Sequence, residues 1–341
     1  MATIKGENVT TTRFRWMDLL RGTAIVMVLV WHAPAIPVLY GLEMPEWVRT
    51  TNNFFLPFRM PMLMFLSGSL LSHSIKRPLP EYLLGKVALI GWPYLVWAGL
   101  HIIQGPSNYV LTSPWSWVAT GYLWFLFFIG TYYCMAPFIR RLPAWLVSVA
   151  SFAASVPFDG ELAKGFFYFL GFFYAGNFFT QRQDVFGRLG RGWPLAVCAV
   201  VAIGVGVWSS LNGVESKYEA ITAPGSLAGI MVAMAAAKAL PDSRLVRAVE
   251  GIGRKSIVYY VSHFPIIIVT TVALLSAGVE SSAVVTAVGL VTAFIACAVL
   301  ARFSSLRPLV WLYQMPGFPA LRRRLRASDS KRPRSAGSAN P

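Results

Sequence analysis

Long apolar segments recur along the whole chain, and no other feature of the sequence restricts its fold so strongly. A helix needs about 20 mostly apolar residues to cross a membrane. Only 13% of the residues are charged, about half the share of a soluble chain. The sequence therefore predicts an all-α polytopic membrane protein with about ten transmembrane helices, near residues 16–37, 55–74, 86–104, 118–138, 142–158, 164–180, 193–211, 223–240, 256–275 and 283–302.

The distribution of basic residues predicts how these spans are oriented. Lys and Arg collect on the cytoplasmic side of membrane proteins. If the N-terminus lies inside, 26 of the 30 Lys and Arg residues fall on one face. We therefore expect both termini in the cytoplasm and the chain in the plasma membrane, and the net charge of +16 needs no nucleic-acid partner. The four basic residues on the other face are Arg49, Arg59, Lys164 and Lys217.

The chain divides by composition into a transmembrane domain, residues 1–305, and a basic tail, residues 306–341. The tail is polar and rich in Gly, Pro and Ser from about Ala327, so we expect disorder there. Its basic cluster is typical of contact with anionic membrane lipids, and comprises Arg322, Arg323, Arg324 and Arg326.

The cysteines and histidines indicate no metal site. Cys134, Cys198 and Cys297 all lie in apolar segments, which favours buried packing over disulfides. No cluster has the ligand spacing of a zinc site. His73 and His101, near helix ends, are interpreted as structural.

The first span contains ionisable residues, which are costly in hydrocarbon and commonly functional. Eleven residues separate Arg21 from His32, so both point the same way, about 16 Å apart along a helix. Asp18 precedes Arg21 by three residues and shares that face. Each residue also has an alternative role that is only structural. Asp18 and Arg21 would then be interfacial residues at the start of the span, and His32 would form an interhelical hydrogen bond. Their alignment favours a functional set, with His32 as a general base.

Further ionisable residues lie near other helix ends. Arg59 is expected at the membrane depth of His32, where a cation would orient an acceptor or stabilise an oxyanion; the alternative is an interfacial arginine. His263 lies about two turns into the ninth span, with packing as its alternative role. Arg254 and Lys255 precede that helix, and we expect them to form an anion site at its N-terminus. Tyr122 and Trp124 are interpreted as lipid-facing or interfacial aromatics.

Five motifs then occur in a familiar order. The first span contains Arg21 and His32 as Arg-x10-His, preceded by Asp18, and resembles the first-helix signature of the acyltransferase 3 superfamily of integral membrane O-acyltransferases. The remaining motifs are similar to later elements of that family. They read FRMPMLMFLSGSLL, LLGKVALIGWPYLVW, YLWFLFFIG and SIVYYVSHFPI. In the second of the five, Met62, Leu63 and Met64 stand where many members have aromatic residues.

The resemblance implies transfer of an acyl group, usually acetyl, from cytoplasmic acyl-coenzyme A to a hydroxyl of an extracytoplasmic carbohydrate or glycolipid. His32 would deprotonate the acceptor or form an acyl-histidine, and both routes stay open. Asp18 would hold Arg21, and Arg59 would serve the reaction. Four cationic residues would hold the coenzyme, namely Arg21, Lys86, Arg254 and Lys255. We assign His263 to the same binding site.

A transporter or flippase of lipid-linked sugars is the competing function. Such a protein would also use ionisable residues within the membrane. Transporters commonly consist of two related halves with corresponding broken helices, and the sequence shows no such repeat.

Overall fold

The fold is known from a computed structural model, which describes residues 15–104, 109–213 and 217–330. Every regular element within these ranges is helical. The twelve longest helices, one of them composite, are α1 (Arg15–Val38), α2 (Glu46–Ser69), α3 (Leu79–Ile103), α4 (Trp124–Ile139), α5 (Ala144–Ser155), α6 (Glu161–Gln181), α7 (Gly192–Asn212), α8 (Ala223–Ala239), α9 (Arg244–Arg254), α10 (Ser256–Ser276), α11 (Ser282–Phe303) and α12 (Phe318–Ser330).

Eight helical segments in the described ranges are long and apolar enough to cross a membrane. They contain α1, α2, α3, α4, α7, α8, α10 and α11. The fifth predicted span is a helix of only 12 residues, α5, and the sixth is α6, which has 21 residues but is not among the eight. The all-α membrane fold is thus confirmed, while the count of ten and the orientation stay predictions.

The outer surface of the helix bundle is apolar. On α7, Val200 is 70% exposed and Ile203 57%, and on α11 Ile295 is 60% exposed. A soluble protein rarely exposes contiguous apolar surface on this scale. These faces are therefore suited to lipid, which satisfies apolar side chains as the interior does.

Helix α1 lies at the centre of the bundle and packs against α2, α8, α9, α10 and α11. Ile25 and Leu29, which lie between Arg21 and His32 on the predicted functional face, are buried. Two glycines allow α1 and α9 to cross closely: a Cβ added at Gly22 would lie 2.0 Å from the Val249 carbonyl oxygen, and one at Gly253 would lie 1.8 Å from that of Asp18. This backbone contact fixes the first turns of α1.

The chain beyond α11 returns to the bundle and contacts α3. That helix contains a π-helical turn at Val87–Gly91, and π turns free backbone groups for other partners. The Ala88 carbonyl there accepts the Met315 N–H at 3.0 Å. The Trp92 and Trp97 indoles donate to the Trp311 and Leu312 carbonyls, at 2.7 and 3.0 Å.

The structure adds detail to the predicted tail and corrects the expectation that all three cysteines are buried. Helix α12 continues to Ser330, beyond the predicted onset of disorder at Ala327, and residues 331–341 lie outside the described residues. Arg322, assigned to the lipid-facing cluster, hydrogen-bonds Glu81 at 3.0 Å. Of the cysteines, only Cys297 is buried, and Cys134 is exposed. The sequence could not distinguish them, because a helix that is apolar on every side does not reveal which face meets lipid.

Candidate active site

The two intramembrane histidines meet, although 231 residues separate them. Helices α1 and α10 pack together and bring the Nε2 atom of His263 to 3.3 Å from the Nδ1 atom of His32. His263 is fully buried, whereas His32 is partly exposed to a cavity. His263, which we expected near the coenzyme, therefore lies beside the predicted base.

Backbone contacts fix the tautomers of both imidazoles. His263 Nδ1 is 3.0 Å from the Tyr259 carbonyl oxygen, and His32 Nδ1 is 2.9 Å from that of Val28. Because a carbonyl oxygen only accepts, each neutral ring carries its proton on Nδ1. His263 Nε2 is then a lone pair facing the His32 N–H. The free lone pair of His32 is on Nε2, where a general base needs it.

An aromatic cluster holds this histidine pair. Tyr122 and Phe264 stack with ring centroids 4.4 Å apart, and Phe264 packs edge-on to His32 at 5.5 Å. The Tyr122 hydroxyl donates to the Val261 carbonyl at 2.7 Å, and the Tyr260 hydroxyl donates to the Tyr122 carbonyl. These bonds tie the segment before α4 to α10 and so orient His263.

His32 opens into a cavity of about 240 Å³, lined also by Trp31, Asn52, Trp124 and Lys217. Our interpretation of Tyr122 and Trp124 as lipid-facing or interfacial aromatics is wrong, because both line this cavity and Tyr122 is buried. The sequence from residue 121 to 129 is almost uniformly apolar and gives no periodicity that distinguishes the inner face.

Tyr218, also in the cavity wall, lies in the loop before α8. Burial, reinforced by the negative charge of Glu161, raises the pKa of its phenol above the ordinary value although Arg59 acts in the opposite direction. The hydroxyl therefore stays protonated at neutral pH and offers a hydrogen-bond donor to a ligand.

Arg59 lines the same cavity, as expected from its predicted depth. Its side chain is buried, with the residue 5% exposed. The Nη1 atom donates a hydrogen bond to Asn52 Oδ1, and the guanidinium lies over the Trp31 ring, 5.1 Å from its centroid. An arginine and a histidine with a free lone pair thus face one enclosed space.

Arg21 and Lys86 form a second cationic region on the N-terminal side of α1. The Arg21 Nη2 atom donates to the Leu66 carbonyl at 3.3 Å. The Lys86 ammonium lies 3.3 Å from the centre of the Tyr133 ring, and the Tyr133 hydroxyl donates to the Ser67 carbonyl at 2.6 Å. Arg21 thus contacts α2 directly, and Lys86 lies against a tyrosine that itself contacts α2 one residue further on.

The remaining predicted anion ligands are bound near the junction of α9 and α10. Arg254 Nη1 is 3.8 Å from Glu250 Oε2, and Lys255 Nζ is 3.1 Å from Ser304 Oγ. Both side chains are exposed. Asp18 is buried against the α9 crossing. Within the described ranges no group of three His, Cys, Asp or Glu residues is arranged to hold a metal ion.

Comparison with known proteins identifies a family for the chain. A family model described as an acyltransferase domain matches residues 14–302. The match covers α1 to α11 almost completely, so it includes both histidines and Arg59. Neither a curated protein nor a solved structure matches the chain.

Proposed function

The chain belongs to the acyltransferase 3 family, and we propose that it moves an acetyl group from cytoplasmic acetyl-coenzyme A to a hydroxyl of an extracytoplasmic or lipid-linked carbohydrate in the plasma membrane. The histidine pair at the cavity is the observation that carries this proposal. His32 has its Nε2 lone pair available, and its Nδ1–H is shared between the Val28 carbonyl oxygen and His263 Nε2.

The reaction requires a base, and His32 fits that role. The acceptor hydroxyl gives its proton to His32 Nε2, its oxygen attacks the thioester carbonyl, and the carbon–sulfur bond breaks. The coenzyme leaves as a thiolate and takes the proton from His32, which restores the neutral ring. His263 stabilises the transient imidazolium by accepting its Nδ1 proton in a hydrogen bond.

A covalent route uses the same atoms. His32 Nε2 would attack the thioester, expel the thiolate and carry the acetyl group until the acceptor hydroxyl displaces the ring, with the hydroxyl proton passing to the thiolate. Both routes need the free Nε2 lone pair, and trapping an acetylated His32 by mass spectrometry would separate them.

The donor and acceptor approach from opposite ends of α1. Arg21 and Lys86 lie toward its N-terminal end, which the distribution of Lys and Arg assigns to the cytoplasm. Arginine and lysine are the usual ligands of phosphate groups, so these two cations suit the nucleotide of coenzyme A. Arg254 and Lys255 lie on the exposed surface of the same predicted face and would attract the polyanion.

Labelled acetyl-coenzyme A tests the function directly. Membranes that contain the chain are expected to transfer label to a glycan fraction, whereas control membranes are not. A flippase would move lipid-linked sugar across the bilayer without acetylating it. Sugar translocation without any labelled glycan would therefore contradict the proposed acyl transfer.

Replacing Arg21 by alanine tests the donor site. We expect affinity for acetyl-coenzyme A to fall by roughly tenfold or more, since a charge-assisted hydrogen bond contributes about 1.5–3 kcal/mol. The measurement is the KM for the donor in membranes or detergent. Arg140→Ala is the matched control, because this exposed arginine on the same predicted face follows α4. An unchanged donor KM in Arg21→Ala would exclude Arg21 from the donor site.

A further inference from the structure

Arg59 is a buried cation, and the side chains that contact its guanidinium are not anionic. They are the amide oxygen of Asn52 and the ring of Trp31. Among the described residues, no carboxylate lies within ion-pairing distance of its guanidinium. Burying a charge without a counter-ion is strongly unfavourable, so an external anion would stabilise this arrangement.

The other charges near the cavity are paired. Lys217 Nζ lies 2.7 Å from Glu161 Oε2, and Lys164 forms an ion pair with Glu219. No aspartate or glutamate occurs in the described part of the cavity wall. Among the residues that the structure describes, none compensates the positive charge that Arg59 brings to the cavity.

The direction of the Arg59 side chain indicates the side from which a ligand would reach it. Its hydrogen-bond partner, Asn52, precedes it by seven residues, or about 10 Å along α2. This partner lies toward the start of α2, at the end of the bundle where Lys217 and Glu161 also lie. The guanidinium is therefore directed along α2 toward the end of the bundle that the predicted topology places on the extracytoplasmic side, where the acceptor is expected.

We propose that Arg59 anchors an anion-binding subsite and that the acceptor is a carbohydrate carrying a carboxylate or phosphate group. The inference rests on the proposed acyl transfer and names its acceptor class. A guanidinium binds both groups through paired hydrogen bonds. The aromatic side chains Trp31, Trp124 and Tyr218 supply apolar surface for the sugar ring beside it.

Sugar binding to the purified full chain tests the subsite without any donor present. Thermal stabilisation is measured with sodium glucuronate, glucose 1-phosphate and methyl glucoside at constant ionic strength, because a ligand that binds the folded state raises the unfolding temperature. We expect at least one charged sugar to reach half-maximal stabilisation at about one tenth of the methyl glucoside concentration, consistent with a charged hydrogen bond. Sodium phosphate alone is expected to have a much weaker effect.

Two arginines on one helix make a matched pair of variants. Arg59→Gln is expected to remove the preference for the charged sugar. Arg49→Gln is expected to retain it, because Arg49 is exposed and lies 3.6 Å from Glu46 on the same helix. Glu215, which lies outside the described residues, provides a charge control. If the preference for the charged sugar appeared only in Glu215→Gln, the protein would supply its own counter-ion to Arg59. That result would overturn the proposal.

Other results would also overturn the subsite. They are equal binding of charged and neutral sugars, no saturable response to either charged sugar, or an effect of phosphate alone as large as that of the sugar. A preference that survives in Arg59→Gln would assign the anion to another residue. Failure of the proposed function appears differently, as absence of acetyl transfer by the unmodified chain whatever its sugar affinities.

Discussion

Replacing His32 by alanine is expected to abolish acetyl transfer while the protein remains folded in the membrane. General acid–base catalysis contributes about 10²- to 10⁴-fold to such reactions, and the covalent route would lose its nucleophile altogether. The measurement is label transferred from acetyl-coenzyme A per mole of purified chain. His73→Ala is the matched control. His73 is exposed in the short helix Leu71–Ser74 and does not line the cavity that contains His32.

His263→Leu refines this result, because leucine has no hydrogen-bond acceptor, whereas a glutamine amide oxygen would keep one. The buried His263 Nε2 lone pair faces the His32 N–H at 3.3 Å, so its loss removes stabilisation of the imidazolium and leaves the base in place. We expect a fall in kcat of roughly tenfold to a hundredfold, the size of one hydrogen bond to a charged group. Full activity in His32→Ala would refute the base assignment, and full activity in His263→Leu would reduce that residue to a packing role.

Replacing Gly22 by alanine is expected to disrupt the α1–α9 crossing. The added Cβ would lie 2.0 Å from the Val249 carbonyl oxygen, which is backbone and cannot rotate away. Overpacking of this kind costs about 1–3 kcal/mol, and occasionally more. Because α1 carries Asp18, Arg21 and His32, we expect both a lower unfolding temperature and at least a roughly tenfold loss of transfer.

Gly204→Ala on α7 is the control for this substitution. A Cβ there would meet no other atom within 4 Å, and alanine is favoured over glycine in a helix by about 1 kcal/mol. We therefore expect unchanged or slightly higher stability. Normal stability and transfer in Gly22→Ala would show that α9 can move away without consequence, and would contradict the close crossing as a requirement for activity.

The amphipathic helix α9 was the least predictable part of the fold. Helices α5 and α6 lie where the fifth and sixth spans are predicted, although α5 has only 12 residues and α6 begins with a segment that contains Glu161 and Lys164. Helix α9 was not anticipated because its hydrophobic face packs on α1 rather than in lipid. Hydropathy identifies segments that enter hydrocarbon, and an amphipathic helix at the edge of the bundle gives no such signal.

The sequence alone determined the helical membrane class, the family, and the alignment of Asp18, Arg21 and His32 on one face of α1. These properties depend on local composition and on the 3.6-residue period, which any single helix expresses. Tertiary structure alone decided that His263 is the partner of His32, that Tyr122 and Trp124 face inward, and that Arg59 is buried at the cavity. In a chain whose helices are apolar on every side, only packing distinguishes a face that meets lipid from one that meets another helix.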